Sequence, residues 1–382
     1  MKKLLLTTAA VLALASPALA TNGVSTINQT GAGNTASVDQ NDPDITAASS
    51  TVTQSGDNNT STVTQRGDAS VSAGDLVSTI DQSGNGNSAT VSQDITTIAV
   101  PGFSNVIQSG NLNVANITQV DDSQRVTLNQ TSDGNSATVT QGDSVLALGD
   151  DSYGNDATIN QGGTGSHTAT VSQTSLNGSL NLTQDGFSNE ALVSQGANTL
   201  GSNNHVATIT QIGNSSFAQV EQSGVTAGGH NATINQDADV SEARIFQTGG
   251  NNQQGDITQN ADDSFAVILQ TAGDTNLASI TQNAGTGGYA GIEQNADNID
   301  ADITQTGDNH FARGRQDGID NDFDITQTGS DNTADIRQNG NSNQLSVNQS
   351  GMGNTANVTQ NSNANNLTVT QPGNNNTTTI TQ

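Results

Sequence analysis

The sequence has 382 residues, no cysteine, no tryptophan and only 2% aromatic residues. Disulfides and thiolate metal sites are excluded, and so is a conventional core of large side chains. Eight basic residues stand against 36 acidic ones, a formal charge of −28, which makes nucleic acid and anionic lipid poor partners.

The N-terminus is a different kind of sequence from the rest. Lys2 and Lys3 precede an apolar run over residues 4–14, and Ser16-Pro17-Ala18-Leu19-Ala20 ends in A-x-A form. This predicts a signal peptide, residues 1–20, cleaved after Ala20. The run is shorter than the roughly 20 apolar residues of a spanning helix, and no later segment is predicted to cross a membrane. The predicted mature chain, 21–382, has 382 − 20 = 362 residues. It keeps six arginines (Arg66, Arg125, Arg244, Arg313, Arg315, Arg337) and all 36 acidic residues, so its charge is 6 − 36 = −30. An exported protein is expected.

From residue 29 onward a glutamine recurs in 30 rungs, and 19 of the 29 intervals are eleven residues. The position two before it is Val, Ile or Leu in 29 of the 30 units. Four before is usually Ala or Ser, and six before is Asn in 14 units. The ladder residues are Asn34, Ala36, Val38 and Gln40 in the first unit of this kind, then Gln65. Further on they are Asn87, Ala89, Val91 and Gln93, then Gln119, then Asn135, Val139 and Gln141. They continue with Gln211, Gln327, Ile336, Gln338, Gln349, Asn354, Val358, Gln360, Gln371, Ile380 and Gln382. All these offsets are even. A strand alternates faces with period two, so Asn, Ala, Val or Ile, and Gln share one face, while Thr, Ser, Asp and Asn take the other. Thr333, for example, should point out and Ile336 in.

Gly often follows two residues after Gln, as at Gly31, Gly84 and Gly329, and with Asn and Asp supplies a tight turn. One strand cannot bury its face alone, but two packed face to face can. The predicted fold is therefore all-β: an amyloid-like β-solenoid of about 15 two-strand coils, strand–turn–strand, about 22 residues per coil, with two facing parallel sheets. At about 4.8 Å per coil the rod is roughly 70 Å long. Stacked coils set each Gln and Asn above its counterpart, and amide ladders are expected to satisfy these polar groups inside the stack. The longer intervals, mostly 12 to 17 residues with one of 20, read as loop insertions.

The four histidines, His167, His205, His230 and His310, all fall six before a ladder Gln, which makes them expected substitutes for Asn rather than metal ligands or catalysts. Acidic turns such as "DPD" (42–44) and "GDD" (149–151) are candidate Ca²⁺ turns, but the calcium-binding nonapeptide repeat is missing, and a solvated acidic surface is the preferred reading. The arm "HFARGRQDG" (310–318) is the one without its apolar residue, carrying Gly314 instead. It is expected to be the weakest point of the C-terminal half, and Val at 314 to strengthen it.

The unit "QTGAGNTASVDQ" (29–40) reads Q-x-G-x-x-N-x-A-x-x-x-Q and resembles the curlin repeat of the secreted bacterial subunits that build curli amyloid fibres. "QSGNGNSATVSQ" (82–93), "QTSDGNSATVTQ" (130–141) and "QSGMGNTANVTQ" (349–360) resemble it in the same way, and the likeness runs over nearly the whole predicted mature chain. The resemblance implies a β-solenoid and assembly with copies of itself. It also implies an extracellular, cell-surface fibre of a Gram-negative bacterium, with roles in adhesion and biofilm matrix. A nucleator subunit and an outer-membrane export pore are implied as further partners. The sequence departs from the family where the Ser that usually opens the repeat recurs only at Ser216, Ser241 and Ser264, and where Gln29 lies nine residues past the predicted cleavage site.

No nucleophile elbow, Walker loop, H-E-x-x-H or Rossmann fingerprint occurs in the sequence, so no enzymatic activity and no cofactor are expected. Two other readings stay open. One is a monomeric solenoid adhesin or stalk. The other is an ice-binding solenoid, suggested by outward pairs Thr62/Thr64, Thr138/Thr140, Thr208/Thr210 and Thr379/Thr381.

Overall fold

The computed structural model describes residues 23–40, 47–67, 76–95, 102–120, 123–142, 154–175, 177–197, 204–224 and 228–382. The predicted signal peptide and the acidic turns at 42–44 and 149–151 lie outside the described residues.

Among the described residues thirty strands alternate between two 15-stranded sheets. Gly23–Thr30 opens the first sheet and Thr35–Asp39 the second. Every pairing is parallel, from Gly23–Thr30 on Ala48–Ser55 to Thr355–Gln360 on Thr377–Thr381. Each strand pairs with its counterpart one coil away, so one strand from each sheet makes a coil and the stack has 15. The register sets like on like: Gln29 opposes Gln54, Val139 opposes Val171, and Ile336 opposes Val358. A slip of one residue would turn every apolar side chain outward, so the alternation itself fixes the pairing. Among the described residues no helix is long and apolar enough to cross a membrane.

The even offsets point inward, as expected. Ile336 and Gln338 are buried, whereas Asp335 and Arg337 between and beside them are exposed. Among the described residues Ala48 and Leu76 form a small separate pair, and the core is one long column of alanines and branched aliphatics, with Phe323, shared by both sheets. Its end coils are less covered, with Ile27, Ala36 and Val38 at one end, and Leu367 and Ile380 at the other, only partly buried.

The turns stack as closely as the strands. A Cβ on Gly329 would overlap the carbonyl of Gly351 in the next coil, so the glycine two after Gln is required by the coil spacing. Most turns then place a residue in the left-handed region. Usually this is Gly, Asn, Ser or Asp, but Leu112 and Val240 also adopt it, at φ 57° in each case.

All six intervals longer than twelve residues begin at a Gln of the second sheet: Gln40, Gln65, Gln93, Gln141, Gln195 and Gln222. The insertions therefore leave from one edge of the rod, and the opposite edge carries turns of nearly constant length. This asymmetry becomes legible only once alternate strands are assigned to separate sheets.

Candidate functional site

The inner glutamines form two continuous chains of amide–amide hydrogen bonds. In the first sheet each Nε2 donates to the Oε1 of the next coil, from Gln29 to Gln371, over 2.6–3.0 Å. The second sheet repeats this from Gln40 to Gln382, over 2.6–3.4 Å. The same Nε2 groups reach a backbone carbonyl of the facing sheet: Gln141 donates to the Arg125 carbonyl at 2.9 Å and Gln349 to that of Thr333 at 2.9 Å. Each glutamine thus ties its coil to the next and one sheet to the other. All the bonds point the same way, so the stack has a donor end and an acceptor end.

The position six before Gln makes a second row. Asn59 donates its backbone N–H to Asn34 Oδ1, Asn87 to Asn59, Asn113 to Asn87 and Asn135 to Asn113, all at 2.8–2.9 Å. The side-chain amide closes the turn, as where Asn354 Nδ2 donates to the carbonyls of Ser350 and Gly373.

His167 and His310 enter this row with the same valence, whereas the buried Nε2 of His205 and of His230 has no hydrogen-bond partner among the described residues. His167 Nδ1 accepts the Asn189 N–H at 3.2 Å while its Nε2 bonds the Gly162 carbonyl at 2.9 Å. His310 does likewise with Asn332 N–H and the Thr306 carbonyl. His205 and His230 lie in consecutive coils with rings stacked 5.0 Å apart, and the Nδ1 of each accepts the next coil's backbone N–H. An Nδ1 that accepts must be unprotonated, so the row holds its histidines neutral.

Burial lowers the pKa of all four histidines; for His205 and His230 it falls to about 4, and at His205 the charge of His230 adds to the effect. The unfolded chain, with His near 6.5, therefore binds protons between pH 6.5 and 4 that the folded chain does not. Stability is complete above pH 6.5 and is lost as pH falls toward 4, by about 2–3 kcal/mol per ring. Replacing both by Asn, as in His205→Asn/His230→Asn, is expected to remove much of this loss. The check is the difference in melting temperature between pH 7 and pH 4.5, variant against wild type. Equal acid sensitivity would mean that the pair does not titrate in this window.

Two departures from the pattern stand out. Ser50, Ser78 and Ser104 replace Ala in three successive coils of the first sheet, and their buried hydroxyls have no hydrogen-bond partner. The second departure corrects an expectation. Gly314 does not leave a gap. Phe323, across the core, stands where the other coils of the first sheet have Ala, Ser, Gly, Val or Leu, is fully buried, and fills the space in front of Gly314. A Cβ on Gly314 would overlap the Phe323 ring. Gly and Phe exchange volume between the sheets.

The sequence-selected residues sit as follows. Ala89, Val91, Gln93, Asn87, Gln65, Gln119, Asn135, Val139, Gln141, Gln211, Gln327, Ile336, Gln338, Gln349, Asn354, Val358, Gln360 and Gln371 are buried. Asn34, Ala36, Val38, Gln40 and Ile380 are half-buried, and Gln382 is exposed, all in end coils. Sequence reasoning missed the Phe323–Gly314 exchange, for which the double departure nine residues apart at most hinted. Among the described residues no cluster of three or more His, Cys, Asp or Glu side chains is arranged to hold a metal ion.

Residues 296–329 and 329–361 match the family model of the curlin associated repeat. No curated protein matches the chain.

Proposed function

We propose that this chain, which carries curlin repeats over residues 296–329 and 329–361, is a secreted structural subunit of curli-like extracellular amyloid fibres serving surface adhesion and biofilm matrix. In this reading residues 1–20 direct export, the chain passes an outer-membrane pore, and a nucleator subunit starts growth. The fibre grows by end-to-end stacking of solenoids on the surface of a Gram-negative bacterium.

The observation that carries the reading is the pair of directional ladders with half-covered core residues at either end of the stack. At one end Gln29 and Gln40 offer acceptors beside Ile27 and Val38. At the other, Gln382 offers a donor beside Ile380, while Gln371 Nε2, next to the half-covered Leu367, already donates to the Thr355 carbonyl and the Thr378 hydroxyl. The two ends are complementary, and a contact of this heterologous kind does not close, which gives a filament. Opposing growth is the charge of −30 expected for the mature chain.

Raising ionic strength from about 10 to 150 mM shortens the screening length from roughly 30 to 8 Å, and is expected to quicken thioflavin-reported growth of residues 21–382. Fibre diffraction should then give the reflection near 4.8 Å of stacked strands. Chain that stays monomeric by light scattering, even with preformed seeds, would leave the stalk reading instead.

One observation favours a second reading. Five neighbouring strands of the second sheet, from Thr60–Gly67 to Thr168–Gln173, place outward Thr or Ser at 13 of 15 positions. The exceptions are Val114 and Asn116, and none of the fifteen is charged. Thr62/Thr64 and Thr138/Thr140 both belong to this flat array, which suits ice binding; thermal hysteresis would identify it.

A further inference from the structure

We propose that solenoids of this protein also pack side by side, the aspartate face of one copy's first sheet against the arginine–aromatic face of a second copy's second sheet. This contact needs no end-to-end growth and goes beyond it.

The outer faces of the two sheets differ most in the C-terminal coils. On the first sheet, Asp300–Asp308 and Asp322–Ser330 turn four carboxylates outward: Asp300 beside Asp322, and Asp302 beside Asp324. None of them forms an ion pair among the described residues. Burial, reinforced by neighbouring carboxylates, raises Asp300, Asp302 and Asp322 above the usual carboxylate range. On the second sheet the same two coils turn out Arg313, Arg315 and Arg337. Glu293 and Asp317 already lean on these guanidiniums, Glu293 at 3.7–3.8 Å and Asp317 at 2.8 Å from Arg315.

Beside them runs the chain's main outward apolar strip. Phe265, Tyr289 and Phe311 stack at 5.4 and 4.9 Å, and Arg244 lies over Phe217 and Phe265. Val267 and Leu269 complete an outward face with no polar side chain on Phe265–Gln270. An outward apolar strip on a chain this polar marks an interaction surface.

The two faces match in register. The sheets run in opposite directions: Gln130 of the first reaches the Val114 carbonyl of the second, and Gln141 of the second reaches the Arg125 carbonyl of the first. A second copy shifted straight sideways therefore sets Asp300 against Arg315, Asp302 against Arg313, and Asp322 against Arg337. Thr304, Thr281 and Thr258 fall on Phe311, Tyr289 and Phe265. Against this, Asp324 meets Asp335 and Asp256 meets Val267. A slip of one coil keeps two charge pairs but sets Asp300 on Glu293, so zero offset is preferred. The faces differ, so each copy offers one of each and the contact extends into a ribbon.

The chain has no cysteine, which allows a clean test. Thr326 and Thr333 come together across this contact but lie on opposite faces of a single copy. Thr326→Cys mixed with Thr333→Cys under mild oxidation is expected to give covalent dimers, and neither variant alone should. Adding R313E/R315E/R337E to the Thr333→Cys chain should abolish them, and adding D300R/D302R/D322R to its Thr326→Cys partner should restore them. Circular dichroism checks that the outward changes leave the fold intact. The cross-link should form near 150 mM salt and be lost near 1 M, where the screening length is about 3 Å, the opposite of the response expected for end-to-end growth. Absence of the mixed dimer, or equal cross-linking of Thr326→Cys with a Thr140→Cys control, would overturn the proposal even if fibres grow.

Discussion

Gly314→Val is expected to destabilise the coils around it by about 1–3 kcal/mol or more, because the added methyls have to displace a buried ring. Gly314 lies in register between Ile292 and Ile336, so the row of aliphatics in the second sheet is interrupted at one place. In the first sheet Phe323 sits between Ala301 and Leu345, and its ring reaches across to close that interruption. Phe323→Ala alone leaves a cavity facing a glycine and should lose about 3–5 kcal/mol. The double variant Gly314→Val/Phe323→Ala rebuilds the Ala-plus-aliphatic pattern of coils such as those of Ala278 and Ala301. It should be closer to wild type than either single variant, a strongly non-additive cycle. Stacked coils need not unfold in one step. Hydrogen exchange in Phe311–Gln316 and Asp322–Ser330 is therefore the measurement to use. Unchanged or greater protection in Gly314→Val would show that the two residues do not share this space.

This pair marks where reading the sequence stops. The period-two placement of Asn, Ala, Val or Ile, and Gln specifies strands, facing and register, because a repeat that recurs in phase leaves one consistent stacking. Histidines at the Asn position were legible for the same reason: an imidazole with an accepting Nδ1 takes the place of a carboxamide oxygen, and at His167 and His310 Nε2 also takes the place of its NH₂. The Phe323–Gly314 exchange was not legible, since it is a contact between sheets and the spacing along one strand says nothing about what faces it. The confinement of long insertions to one edge was hidden in a single list of intervals. So was the match between aspartate and arginine faces, since outward residues eleven or more apart become neighbours only when opposite faces meet. What repeats is encoded in one unit, and what differs from coil to coil is encoded in the packing.

Gln338→Glu is expected to be among the most damaging single substitutions of the ladder, although it exchanges one NH₂ group for one oxygen. Gln338 is buried; it accepts from Gln316 Nε2 at 3.0 Å and donates to Gln360 Oε1 and to the Asp322 carbonyl, each at 3.0 Å. A carboxylate keeps the accepting contact but turns an acceptor on two acceptors, and it places an unpaired charge between the sheets. The loss should be several kcal/mol at pH 7. Gln338→Leu, which leaves the same neighbours unpaired without a charge, should lose about 1–3 kcal/mol for each unsatisfied group. Thr333→Asp, three residues before Ile336 and so on the outer face, should stay within about 0.5–1 kcal/mol. The charge can be separated from the lost bonds by pH. A glutamic acid in this place titrates above its ordinary value near 4.3, so the folded variant holds a proton that the unfolded chain has released. Its stability relative to wild type then falls as pH rises above about 4.3 and returns as pH is lowered, because the protonated acid donates again. The histidines titrate in both proteins and cancel in the comparison. Unfolding of variant and wild type followed side by side from pH 7 to pH 4 should show the gap narrowing. A gap that stays constant, or a variant as mild as Thr333→Asp, would mean that the glutamine chains fill the interior without holding the coils together.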